Sequence, residues 1–139
     1  MTVLTGTARA ALLSNRPAHL STINPDGSPQ ISLVWVGVEA DQIVIGHLGD
    51  GVKVRNIARD PRVALSLEAE GSNEMGLLNY LIVYGNATLR EGGAPALLQR
   101  LALRYLGPNV KFPPFENPPD GHVIVISPQR LGGVGPWRG

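Results

Sequence analysis

The stretch GDGVKVRNIARDPRVALS, residues 49–66, holds a helix and a strand with a sharp boundary between them. Asp60-Pro61 sets that boundary, because proline biases its predecessor away from the helical region. Downstream, RVALSLE (62–68) places Val63, Leu65 and Leu67 on one face of a strand. Upstream, a helix capped by Asp50 or Gly51 turns Val54, Ile57 and Ala58 toward a core and sets Lys53 with Asn56 on another side. Lys53, Arg55 and Asn56 then fall in the first turns, where unpaired amides and the helix dipole favour an anion. A phosphate placed there gains the amides, the ammonium and the dipole together, with charge and dipole each contributing about 0.3–1 kcal/mol. The same residues also fit a solvated polar face with Arg55 and Arg59 in water, and the helix by itself leaves both readings open. Arg59 to Pro61 and Arg62 read as a helix exit and a strand start.

Working outward, AHLSTI (18–23) and PQISLVWVGV (29–38) flank NPDGS, whose Asp26-Gly27 pair signals a hairpin turn. Pro29 has no amide to donate, so it belongs at the very start of its strand. QIVIGH (42–47) is a β-branched run suited to a buried strand. NYLIVYGNATLR (79–90) is a long strand in which Gly85 marks a bulge or bend, and HVIVIS (122–127) is the last strand. TGTARAALL (5–13) reads as a short opening helix capped by Thr5 or Thr7. GAPALLQRLALRYLG (93–107) spaces Leu97, Leu98, Leu101 and Tyr105 for a second amphipathic helix that stops at Gly107-Pro108. Residues 69–78 read as a loop. Residues 108–121 hold five of the twelve prolines and form an irregular connection suited to lining a cleft or covering a partner. Six short strands with short flanking helices predict a mainly β, antiparallel barrel in one domain, 1–139, that ends in a glycine-rich tail, 129–139.

Composition narrows the function classes. Twelve Lys and Arg against eleven Asp and Glu leave a net charge of +1, so no long-range field gathers nucleic acid along a face and any anion site is local. The absence of Cys excludes disulfides and thiol catalysis. No run approaches the roughly 20 apolar residues of a membrane span, and no signal-peptide pattern opens the chain, which predicts a soluble, cytoplasmic protein. His19, His47 and His122 lack metal-ligand spacing, so no metal is expected.

Scattered carboxylates offer no hydrolytic pair, the serines lack a nucleophile elbow, and LGDGVK lacks the end of a P-loop. Gly132-Gly133-Val134-Gly135 is followed by no helix, which argues against a dinucleotide fold. His47, at the end of a strand just before the cationic helix, is placed either to donate to the same anion or to sit as a half-buried imidazole. Trp35 suits the core and equally suits stacking beside a planar cofactor. Trp137, in the tail, suggests docking on a second subunit or over a pocket.

The segment from Lys53 to Ala64, K-x-R-N-[IL]-x-x-D-P-R-V-A, and P-x-x-S-x-V-W from Pro29 to Trp35 carry a family resemblance. With the order of elements over about residues 8–131, the chain resembles the split β-barrel flavin and deazaflavin oxidoreductases, the group that includes pyridoxamine phosphate oxidase-like proteins. The motifs are most similar to the branch that uses coenzyme F-420, a deazaflavin with an anionic phosphate and oligoglutamate tail. That resemblance implies a six-stranded antiparallel split β-barrel and a homodimer with cofactor sites at the subunit interface. It places the phosphate near His47, Leu48, Lys53 and Asn56, and the ring against Gln30, Ser32, Val34 and Trp35. Arg55 and Arg59 are the basic path for a longer tail, and the 70s loop or the Trp137 tail of the other subunit closes the pocket. The implied activity is hydride transfer from F-420 to an unsaturated or conjugated small molecule, with Ser32, His47 or solvent as proton source and no catalytic residue singled out. An FMN-dependent oxidase or reductase is the alternative cofactor reading, and a non-catalytic binder of a cofactor, haem or tetrapyrrole is the alternative class. Many relatives carry Arg two residues before the Lys, where this chain has Gly51. They also carry Ser or Thr at the strand end, where His47 and Leu48 stand.

Overall fold

Trp35 and Val36 break what the sequence presents as one strand, and that break decides the architecture. In the computed structural model, which describes residues 3–137, the elements run α1 (Gly6–Leu12), β1 (Ala18–Ile23), β2 (Pro29–Val34), β3 (Gly37–Glu39), β4 (Gln42–His47), α2 (Val52–Arg59), β5 (Arg62–Ser72), β6 (Leu78–Glu91), α3 (Ala94–Tyr105) and β7 (His122–Val134). All pairings are antiparallel within one sheet of order β2-β1-β5-β6-β7-β4-β3. The strands are seven rather than the expected six, because residues 29–38 divide between the two ends of this order. Strands at opposite edges are thus joined by only two residues, so the sheet must curl until its edges meet. A covalent corner closes the barrel where no ladder pairs β2 with β3.

That corner has backbone groups with no strand partner, and α3 supplies them. The Val36 amide donates to Tyr105 Oη at 3.1 Å, and the Tyr105 hydroxyl donates to the Arg16 carbonyl at 3.1 Å. Arg104 donates to the Val36 carbonyl. The ring of Tyr105 stacks on Trp35, centroids 5.4 Å apart and nearly parallel.

Alternation along each strand fills the barrel. Leu20, Val36, Ile43, Ile45, Leu65, Leu81, Val83, Ile124 and Ile126 are buried in the main core, capped by Ala8, Ala11 and Leu12 of α1 and by Ile57 of α2. A second cluster joins Val44, Val123 and Val125 to Leu97 and Leu101 of α3. β4 and β7 are therefore covered on both faces, which explains their unbroken β-branched runs. α3 packs so closely on β4 that a Cβ on Gly46 would lie 2.8 Å from Leu98 Cγ.

Several local expectations hold. Thr5 caps α1 by accepting from the Ala8 amide, Gly27 takes a positive φ of 86° in the hairpin turn, and Pro29 opens β2. At Gly85 the β6–β7 register shifts: Tyr84 faces Arg130, Gly85 faces Pro128, and Gln129 is the extra residue of a bulge.

Other expectations are corrected. The loop in the region 69–78 shrinks to residues 73–77, since β5 runs to Ser72 and β6 starts at Leu78. The glycine-rich segment does not leave the domain at 129: β7 continues to Val134, paired with β6 as far as Tyr80. Glycine at 133 permits this, because a Cβ there would meet the Tyr80 carbonyl oxygen at 2.1 Å. Trp137 is 5% exposed and belongs to the main core of its own chain, so it does not reach a second subunit. Burying so large a ring stabilises the fold more than solvent contact would. The rest of the expected tail, 138–139, lies outside the described residues. No described helix is long and apolar enough to cross a membrane.

Tyr105→Phe keeps the stack on Trp35 but leaves the Val36 amide without its acceptor. It should lower unfolding free energy by about 1–3 kcal/mol in urea titration, the cost of an unsatisfied buried donor.

Candidate functional site

Helix α2 owes its amphipathic placement to Val54 and Ile57, both buried. Its third buried residue is Asn56, at 2% exposure, whereas Ala58 faces solvent, the reverse of the sequence expectation. The exchange has a polar cause. Asn56 Nδ2 donates to Thr22 Oγ1 and to Asn24 Oδ1, each at 3.0 Å, and Asn56 Oδ1 accepts from Arg59 at 3.0 Å. Thr22 Oγ1 in turn donates to Gln30 Oε1 at 2.7 Å. This network ties α2 to the first hairpin and satisfies the buried amide. Asn56 has no donor left for a phosphate, and Gln30 is held in the same network with its Nε2 donating to the Ile31 carbonyl. Both side chains are therefore hydrogen-bonded within the scaffold.

Lys53 is different. It reaches toward β2, where its Nζ donates to Ser32 Oγ at 3.4 Å, and no carboxylate pairs with it among the described residues. Burial holds its pKa below the usual lysine value. α2 has no side-chain N-cap, so the amides of its first turn are directed at the same region. An open groove of about 360 Å³ lies here, lined by Leu33, Val34, Trp35, Gly46, His47, Leu48, Gly49, Lys53, Leu98 and Phe112. Five of the expected site residues meet in this groove: Val34, Trp35, His47, Leu48 and Lys53. Ser32 joins them through Lys53.

One end of the groove is cationic and the other aromatic. Phe112 leans on Trp35 with centroids 5.0 Å apart and planes tilted by 56°, while Tyr105 backs the indole from behind. Trp35 thus packs in the second cluster and also lines the groove. Phe112 and Leu98 escaped sequence reasoning as site residues; the signal available was the proline-rich connection 108–121, which fits cleft lining.

His47 does not donate through Nε2. That atom accepts from the Gly51 amide at 3.2 Å. Burial first, then the Lys53 and His122 charges, push the imidazole pKa below 6.5, against a smaller opposing effect of Asp50. Arg55 folds back to donate to the Asp50 carbonyl, beside the start of α2, and Arg59 donates to the Ile23 carbonyl. Neither arginine lines the groove.

A larger hollow, about 570 Å³, lies on the outer face of β2, β1, β5 and β6 between Arg16, His19, Leu33, Ser66 and Tyr80. Lys53 does not line it, and size alone does not make it the binding site. Leu33 lines both cavities, which places the groove at the rim of that face.

Comparison with known proteins gives the family. The family model described as pyridoxamine 5'-phosphate oxidase matches residues 4–135. The chain belongs to that family. It is accordingly a split-barrel protein of the flavin and deazaflavin oxidoreductase type. Among solved structures, an F420 reductase superposes with a TM-score of 0.73 at 27% identity, covering 89% of this chain and 94% of that one. A conserved hypothetical protein from Mycobacterium tuberculosis gives 0.66 at 25%, over 93% and 84% of the two chains. A heme binding protein from Mycobacterium smegmatis shares the fold at 0.66 and 23%, over 94% of this chain but 53% of its own length. No curated protein matches the sequence.

A desolvated ammonium with no carboxylate beside it opposes folding of the free protein. Because the folded-state pKa of Lys53 lies below the unfolded value of 10.5, that penalty is full at neutral pH. It fades as pH rises through the folded value. Lys53→Met should therefore raise the thermal midpoint of the free protein at pH 7, and the gain should shrink toward pH 10, as read by calorimetry.

Proposed function

We propose that the chain is a deazaflavin-dependent reductase that binds coenzyme F-420 in the groove and reduces an unsaturated or conjugated small molecule. The observation that carries this reading is Lys53: a half-buried ammonium without a carboxylate partner, set at a helix start and opening onto an aromatic-walled groove. Such a group fits an anionic ligand with a planar ring, because the phosphate restores the partner that burial removes. Similarity to the F420 reductase over most of both chains supports the choice of cofactor.

In this reading Lys53, Ser32 and the first-turn amides of α2 hold the phosphate, and Val34, Trp35 and Phe112 bound the ring. Bound there, the reduced deazaflavin supplies a hydride. The chain's own residues orient the ring and exclude water from one side. With His47 Nε2 engaged by Gly51, the Ser32 hydroxyl or solvent supplies the proton. Arg55, beside the helix start, guides the anionic tail.

A homodimer completes the site. Ile31 and Leu33 are 65% and 60% exposed on β2, and Leu78 and Tyr80 of β6 are exposed on the same outer face. A second copy laid on this face covers apolar side chains and closes the groove at Leu33. Leu33→Asp should convert a dimer to a monomer in sedimentation velocity and weaken cofactor binding with it.

FMN is the second reading, favoured by the family match, since its single phosphate fits the same helix start. Titrating the apo protein with F-420, FMN and haemin at fixed salt separates the readings. F-420 should bind tightest, and Lys53→Ala should weaken it about tenfold or more, the loss of one charged hydrogen bond. Tighter FMN binding favours the FMN reading, and haemin binding without turnover favours a carrier. Unchanged affinity in Lys53→Ala removes the phosphate assignment.

A further inference from the structure

His47 closes β4, and Gly51 caps α2 four residues later. Residues 52–54, Val-Lys-Val, contain no Glu or Gln to reach back to the cap amide, so α2 has no capping box. The neighbouring strand supplies the missing acceptor: the Gly51 amide donates to His47 Nε2 at 3.2 Å. Only a ring nitrogen with a free lone pair accepts, so the imidazole carries its single proton on Nδ1.

The same contact dictates the residue at 51. A Cβ there would stand 2.6 Å from Nε2 and 3.0 Å from Cε1 of His47. The ring can yield to a methyl group only by swinging away, and a ring that has swung away no longer accepts from the amide. Space and hydrogen bond are thus a single constraint.

We propose that His47 and Gly51 are a coupled positioning pair: the neutral imidazole anchors the first turn of α2 and thereby aims Lys53, two residues on, into the groove. His47 acts as an acceptor toward the protein and not as a charged ligand of the anion. The charged groups facing it are Lys53 of α2, His122 across the β4–β7 ladder and Asp50 just before the helix, and the two basic groups oppose a further charge on the ring. The effect on ligand affinity rests on the anion-site reading above, whereas the state of the imidazole does not.

Two measurements test the pair. In the free protein labelled with 15N-histidine, long-range proton–nitrogen correlation at pH 7 should show His47, assigned by its loss in His47→Ala, with Nδ1 protonated and Nε2 bare. Its titration midpoint should lie below 6.5 and move up toward that value in Gly51→Ala, as the ring is displaced. An Nε2–H tautomer or an imidazolium at pH 7, or an unmoved His47 in Gly51→Ala, overturns the proposal. The second measurement is the F-420 and FMN affinity of Gly51→Ala, His47→Ala and the double variant. Each single change should weaken binding about tenfold, and the double variant should be no weaker than the worse single one, the sign of a shared interaction. Losses that simply add refute the coupling. If neither cofactor binds the native protein, the proposed function fails, and the spectroscopic result still decides the pair.

Discussion

The hydrogen bonds at Val36 are the constraint on which the rest of the structure depends. Two residues join strands from opposite edges of a seven-stranded order, so the barrel closes through a bend that has no ladder of its own. Backbone groups in such a bend are buried and need partners. The end of α3 provides both, the Tyr105 hydroxyl for the amide and Arg104 for the carbonyl. Because Tyr105 also stacks on Trp35, the closure of the barrel and the back wall of the groove are built by one side chain. Fold and site are therefore coupled at the point where the sheet is weakest.

On the other side of the groove, α2 does two jobs with adjacent residues. Asn56 binds the helix to β1 through a satisfied buried network, and Lys53 extends from the same helix into an incompletely satisfied environment. The first arrangement stabilises the free protein and the second opposes it. Natural sites accept such local costs where a ligand later removes them. The contrast separates scaffold from site more sharply than charge or polarity, since both residues looked equally suited to a phosphate in the linear chain.

Much of the fold was legible along the chain because alternation, turn chemistry and prolines act locally. Asp26-Gly27, Pro29, the Asp60-Pro61 boundary and the Val63-Leu65-Leu67 face all stand where their short-range chemistry puts them. The misreadings have non-local causes. Trp35-Val36 carries no turn signal, so the run 29–38 looked like one strand. The glycines at 132 and 133 read as a tail, although pairing with β6 makes strand of them. Trp137 looked exposed, because the core it joins is assembled from residues distant in sequence.

By itself the sequence determined the mainly β class, the positions of most strands, the cationic start of α2 and the family motifs from Pro29 to Trp35 and Lys53 to Ala64. Those features depend on residue type and spacing over a few positions. Only the tertiary structure decided which polar residue faces the groove and which is bound to the scaffold. Lys53 has no carboxylate partner among the described residues, Asn56 and Gln30 are bonded internally, Phe112 arrives from the proline-rich connection, and His47 accepts from Gly51. The physical reason is that a hydrogen-bonding side chain takes the partner that folding brings nearest, and in a closed barrel that partner comes from another strand or helix.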